Sequence, residues 1–324
     1  MNVQAIEISE QRNVEGQPFP LVLSPKESTE SFDDTLAWLE SNGDALRKRM
    51  IETGAILLRN FPIHSPEEFD AVVKAAGFIG MPYVGGAAPR NEVVKGRVLT
   101  TNESPPSEPI PFHHEMSQVP NPPAYIMFYC HVPPETGGET PIVLSNRVYK
   151  RFRNISADFA DQLEDKGVRY VRVMPGEDDE TSAIGRSWHS TFLTDSREEA
   201  EEKMRNMGME WEWRDNDELY TVTRALPAIR VDQRSGRKTF FNSVVAAYTG
   251  WIDSRNDPEK SVRCGDDTPV DGEVLLETAK AMKEECVAFK WQHGDLLLID
   301  NALVMHSRSP FSGPRSILAS IAQS

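Results

Sequence analysis

In the segment Pro111-Phe112-His113-His114-Glu115-Met116 an imidazole and a carboxylate stand two residues apart. On an extended strand side chains at i and i+2 share a face, so His113 and Glu115 converge on one point while His114 turns away. Two histidines and one carboxylate make a facial triad that leaves three positions open on iron(II), room for a bidentate oxo-acid together with dioxygen. The third ligand must come from elsewhere. His306 is the candidate, standing just beyond the apolar run Leu296-Leu297-Leu298-Ile299, although an imidazole there also suits a buried, hydrogen-bonded core histidine. Nine residues further on, Arg315 offers a guanidinium able to hold the far carboxylate of a dicarboxylate bidentately, and Thr140 a hydroxyl donor to the same group. Arg308 is the alternative to Arg315. By itself His-x-Glu is a weak pattern, and two rivals use the same residues. A zinc hydrolase would activate a metal-bound water, and a catalytically silent binding module would have lost its metal.

The elements that must position these groups are mostly strands. Ala55–Arg59, Ala124–Val132, Thr140–Leu144, Val168–Met174, Ala228–Val231, Lys238–Asn242, Ala288–Trp291 and Leu296–Asp300 read as strands from their apolar, β-branched and aromatic content. Helices are expected at Thr35–Glu40, Asp44–Thr53, Asn146–Phe152, Ala157–Asp165, Ser196–Met207 and Glu273–Glu285, and another opens at Ser65-Pro66. Ser145 and Ser156 stand where N-caps belong, and Gly54 where a helix end wants a left-handed residue. Strands outnumber helices and cluster at the centre and end. That pattern suits a mainly β fold, a sandwich or barrel with flanking helices. No repeat is visible, so residues 1–324 read as one domain, with 1–16 as a flexible N-terminal arm.

The chain carries 35 Lys and Arg against 50 Asp and Glu, a formal charge of −15, which argues against nucleic-acid or anionic-membrane partners. Its three cysteines form no CxxC pair, so neither a disulfide framework nor a cysteine-built zinc site is expected. Without a signal-peptide pattern or a long apolar run, a cytoplasmic protein with a small-molecule partner is expected. Nothing in the sequence specifies an oligomeric state.

The ordered stretches Gly54–Pro62, Pro82–Arg90, Asn102–Pro106, Pro111–Met116, Gly137–Pro141, Phe241–Trp251, Trp291–Asp295 and Asp300–Arg315 resemble the TauD/TfdA (taurine dioxygenase/clavaminate synthase) superfamily. Within it the plant clavaminate synthase-like proteins are most similar, and the likeness spans about residues 17 to 320. The resemblance implies a double-stranded β-helix, the jelly-roll or cupin-like core. It also implies iron(II) on His113, Glu115 and His306, and 2-oxoglutarate held by Arg315 and Thr140. The implied reaction consumes O2, releases succinate and CO2, and hydroxylates, desaturates or oxidatively cyclises a small molecule such as an amino acid or amino-acid derivative. A carboxylate at position 115 speaks against halogenation, because related halogenases have a small residue there.

Arg90 is the candidate for binding a substrate carboxylate, its plain alternative being a solvated loop charge, and Tyr83, Asn102 and Asn242 are possible polar partners. His114 reads as a packed neighbour. His64, His131, His189 and His293 have no ligand partner at useful spacing, and Trp211, Trp213 and Trp251 read as core residues.

Overall fold

A computed structural model describes residues 1–27, 30–101 and 104–323. Two sheets face each other. The larger has nine strands, running Val3–Ile6, Leu21–Pro25, Ala55–Leu58, Leu296–Asp300, Tyr125–Val132, Ser316–Gln323, Val98–Thr100 and Glu92–Val94, with Ile79–Gly80 also paired to Ser316–Gln323. The smaller orders Ile142–Leu144, Val304–Arg308 and Ile110–His113. This is the jelly-roll expected from the sequence.

Strand alternation sorts side chains between three apolar layers. Leu57, Ile126, Phe128, Leu297, Ile299 and Ala319 of the large sheet meet Ile142, Leu144 and Val304 of the small one. The opposite face of the large sheet, with Ile56, Leu58, Met127, Leu296 and Leu298, is covered by Leu39, Met50, Phe69 and Val72 of the helices Phe32–Thr53 and Pro66–Ala75. The outer face of the small sheet, Phe112, Val143 and Met305, lies under the helices Ser145–Ile155, Ala157–Lys166 and Gly272–Glu285. Burial on both faces is why Leu296–Ile299 is continuously apolar rather than alternating. It also sets the parity of the site: Phe112 and Met305 point outward, so their strand neighbours His113 and His306 point into the space between the sheets.

Gly54 ends the first helix at φ +81°, and a Cβ there would lie 2.7 Å from Val304 Cγ2 and 2.8 Å from Leu144 Cδ2. Only glycine fits both the turn and the close sheet packing.

Several expectations need correction. Thr35–Glu40 and Asp44–Thr53 join into one helix, Phe32–Thr53, through Gly43. Ala288–Trp291 forms no strand. Phe289 and Trp291 instead enter the inter-sheet core from irregular backbone, with a lone bridge between Val287 and Ile142. Part of the supposed N-terminal arm is paired, Val3–Ile6 running antiparallel to Leu21–Pro25 and Arg12–Val14 to Gln17–Phe19. Ser156 caps its helix but Ser145 does not, because its hydroxyl bonds a buried histidine instead. Among the described residues no helix is long and apolar enough to cross a membrane.

Candidate metal centre

His113 and His306 are directly opposed on neighbouring antiparallel strands, and their ring centroids are 4.3 Å apart. Glu115 lies outside the strand, in the turn that follows Ile110–His113, where Met116 takes φ +52°. The pleat of a strand therefore does not aim the carboxylate. The turn does, and Asn301 holds it: the Asn301 side chain accepts from Glu115 N–H (2.8 Å) and donates to Glu115 C=O (3.0 Å) and Pro123 C=O (2.8 Å). One ligand atom from each of His113, Glu115 and His306 can be chosen so that all three lie within 4.8 Å of one another.

These residues fit a metal ion. His113 Nδ1 donates to the Pro111 carbonyl at 2.8 Å, which leaves the Nε2 lone pair free as a ligand held in orientation by its other nitrogen. Burial, helped by the neighbouring His306, pushes the His113 pKa down to about 4, so the imidazole is neutral at physiological pH as coordination requires. Burial opposes ionisation of Glu115, yet the charge of Arg90 and the contact with His306 hold its carboxyl well below the usual range. Arg90 Nη2 donates to both Glu115 oxygens at 3.0 and 3.2 Å, and His306 Nε2 lies 3.5 Å from Glu115 Oε2. His306 Nδ1 is buried with no protein partner.

A cavity opens over this cluster, lined among others by Tyr83, Arg90, Phe128, Thr140, Trp251 and Arg315. Arg315 is buried deeply enough to bring its pKa down to about 10, Arg308 adding to the effect, and it stays cationic near neutrality. Its Nε donates to Gly138 C=O at 3.0 Å and its Nη1 reaches Thr101 Oγ1 at 3.5 Å. Thr140 Oγ1 accepts from Trp291 Nε1 at 3.3 Å. Arg308, the alternative, donates to the carbonyls of Ser104, Pro105 and Glu108 and to Ser104 Oγ. That engagement makes Arg308 a brace for this loop.

Of the substrate candidates, Arg90 and Tyr83 reach the cavity, with the Arg90 guanidinium 4.3 Å from the Tyr83 ring centroid. Asn242 does not line it. Its amide is spent on Ala228 C=O (3.0 Å) and Val244 N–H (3.0 Å), so its role is to tie loops together. Asn102 lies outside the described residues. Trp251, expected in the core, lines the cavity as well.

His114 is fully buried, its Nδ1 against Asn301 C=O and its Nε2 2.8 Å from Ser145 Oγ. Asn301 is not among the site residues expected above, although the polar Asp300-Asn301 pair closing an apolar strand is a signal for it. Asn301→Ala is expected to lower unfolding free energy by about 1–3 kcal/mol through the orphaned Glu115 backbone. It should also weaken iron(II) binding roughly 10–100-fold, as loss of other ligand-orienting partners does. An unchanged midpoint in an anaerobic iron titration would remove Asn301 from the positioning role.

The family model for the taurine catabolism dioxygenase TauD, TfdA family matches residues 18–321. The clavaminate synthase-like protein At3g21360 of Arabidopsis thaliana is 48% identical over 322 residues, 97% of this chain and 96% of that protein. The dapdiamide synthesis protein DdaC of Enterobacter agglomerans is 27% identical over 315 residues, covering 94% and 91%. Among solved structures, asparagine oxygenase in complex with Fe(II), 2S,3S-3-hydroxyasparagine and succinate superposes with a TM-score of 0.56 at 13% identity, over 92% of this chain and 87% of that one. With a paired-histidine and carboxylate cluster between the two sheets and a family match running almost end to end, the chain belongs to the taurine catabolism dioxygenase TauD, TfdA family.

Proposed function

We propose that this chain, an iron(II)- and 2-oxoglutarate-dependent dioxygenase by family, oxidises an amino acid or a small amino-acid derivative whose carboxylate is received by Arg90. The observation that carries the reading is the state of that guanidinium. Arg90 is buried at the cavity wall, one nitrogen shared by the Glu115 oxygens, while Nε and Nη1 have no partner. Buried donors left unsatisfied are costly, and an anionic ligand in the cavity is the group that would satisfy them. Tyr83 backs the guanidinium with its ring, so the charge is held in place rather than free to swing to solvent. The amino-acid product held by the structurally similar asparagine oxygenase supports the same class.

His113, Glu115 and His306 would hold iron(II), and Arg315 with Thr140 would hold the far carboxylate of 2-oxoglutarate. The bound metal with 2-oxoglutarate and O2 supplies the oxidising power, releasing succinate and CO2. The protein's part is to fix both carboxylates, one at Arg315 and one at Arg90, so that the C–H bond to be attacked is oriented over the metal side of the cavity. The apolar walls, Phe128 and Trp251 among them, keep water from the reacting centre. A zinc hydrolase would leave Arg315 and Thr140 without a task.

The test is a screen of L-amino acids and their N-acyl derivatives for stimulated succinate release, each paired with its primary amide. Carboxylates should stimulate and amides should not. Arg90→Gln should raise the KM of an active carboxylate roughly 30-fold or more, the effect of truncating one partner of a buried charged hydrogen bond. Equal stimulation by acids and amides in the unmodified enzyme would defeat the assignment of Arg90.

A further inference from the structure

A second chamber adjoins the metal cavity, and Ala87, Gln118 and Trp251 line both. Beyond these three its surface is largely apolar, with Val119, Met174, Phe192, Met207 and Leu226. Polar groups line it as well, Arg172 on the strand Val168–Met174 and Thr191 among them, with Thr221, Thr223 and Arg224. The Arg172 guanidinium is buried, and Nη2 alone takes up the carbonyls of Ala87 (3.1 Å), Ile184 (2.8 Å) and Arg186 (2.6 Å). Its Nε has no partner, and neither does the buried hydroxyl of Thr191. Among the described residues no carboxylate forms an ion pair with Arg172, Asp253 being paired to Arg255 and acting on it only from a distance, and burial with Arg186 close by brings its pKa down to about 9. A structural brace for three carbonyls explains one nitrogen of this group. It does not explain the buried Nε left without a partner, nor a second unsatisfied polar group in the lining of the same chamber, an arrangement that favours an anionic ligand.

We propose that this chamber is a second substrate subsite, holding an apolar segment that ends in a carboxylate received by Arg172 and Thr191. The prime substrate is then an amino-acid derivative carrying a medium-length chain with a terminal acid, one end at Arg90 and the other at Arg172. The placement of the first end rests on the function proposed above, and the second subsite stands on its own geometry.

Three probes separate the two: N-acetyl-, N-hexanoyl- and N-adipoyl-L-alanine, the last two equal in acyl length and differing in a terminal carboxylate. Binding is measured by calorimetry to the full chain loaded with Mn(II) and N-oxalylglycine. The hexanoyl compound should bind more tightly than the acetyl one, and the adipoyl compound about tenfold more tightly than the hexanoyl. Arg172→Met should erase the adipoyl advantage, and Thr191→Val should reduce it, which keeps the proposal testable if the arginine variant does not fold. Met207→Trp, which fills the chamber from the end of the helix Arg197–Met207, should weaken both long probes about tenfold or more relative to the acetyl compound. Equal affinity for all three probes, binding of none, or an adipoyl advantage that survives both polar substitutions overturns the second subsite. Arg90→Gln should weaken all three alike. If it leaves them unchanged while Arg172→Met still acts, the function assigned to Arg90 fails and the second subsite remains.

Discussion

The His306→Ala protein is expected to fold and to lose the weak visible charge-transfer band that iron(II) and 2-oxoglutarate produce together under anaerobic conditions. His306 is 4% exposed and stands opposite His113 across a strand pair, with its Nε2 3.5 Å from Glu115 Oε2. Removing it takes one of three groups within coordination reach of each other and leaves two, too few to hold a ferrous ion against water. The loss of iron affinity should exceed the roughly 10–100-fold that removing an outer hydrogen-bonding partner costs. Glu115 keeps its two contacts to Arg90 Nη2 and its backbone bonds to Asn301, so the fold around the site has other support. His306→Gln, close in volume, should lose the band too, which separates ligand loss from a packing defect. A band that persists in both proteins would show that the third ligand is another residue, and the reading of the cavity would have to be rebuilt.

Arg315→Met should raise the 2-oxoglutarate concentration for half-maximal chelate formation by about 30- to 5,000-fold. This corresponds to the roughly 2–5 kcal/mol lost when one partner of a buried, hydrogen-bonded charge pair is removed. The expectation follows from burial: the guanidinium sits in the cavity wall at low dielectric, where a carboxylate partner is felt strongly. Pyruvate, which has the keto acid but no distal carboxylate, should bind the Met variant about as weakly as it binds the unmodified enzyme. Arg315→Lys should fall between, retaining charge without the planar fork. Arg308→Met should behave differently, lowering stability with little change in selectivity between the two keto acids, because its donors are committed to three loop carbonyls. If the Met variant at 315 keeps normal 2-oxoglutarate affinity while the one at 308 loses it, the two arginines have exchanged roles.

Residue type and spacing were enough to find the metal cluster. Histidine and glutamate two apart and a histidine beyond an apolar strand stand out because few sets of side chains can gather as metal donors. The large-sheet strands Tyr125–Val132 and Leu296–Asp300 were legible for a similar reason, since burial on both faces demands uninterrupted apolar sequence. Ala288–Trp291 reads as a strand and is none, because an apolar, aromatic run looks the same whether it pairs in a sheet or plugs a core from irregular backbone.

What the sequence by itself determined is the class of chemistry, an iron(II)- and 2-oxoglutarate-dependent oxygenase, and that a mainly β scaffold carries it. Only the tertiary structure decided how the side chains meet. Glu115 is aimed by a turn and by Asn301, 186 residues away, rather than by strand pleat. Ser145 gives its hydroxyl to His114 instead of a helix end, and Asn242 is consumed by backbone. Arg172 and Thr191 come to one chamber from separate elements. Local pattern governs which conformations a segment can adopt, but the satisfaction of buried polar groups is settled between segments distant in the chain, and no short-range signal records it.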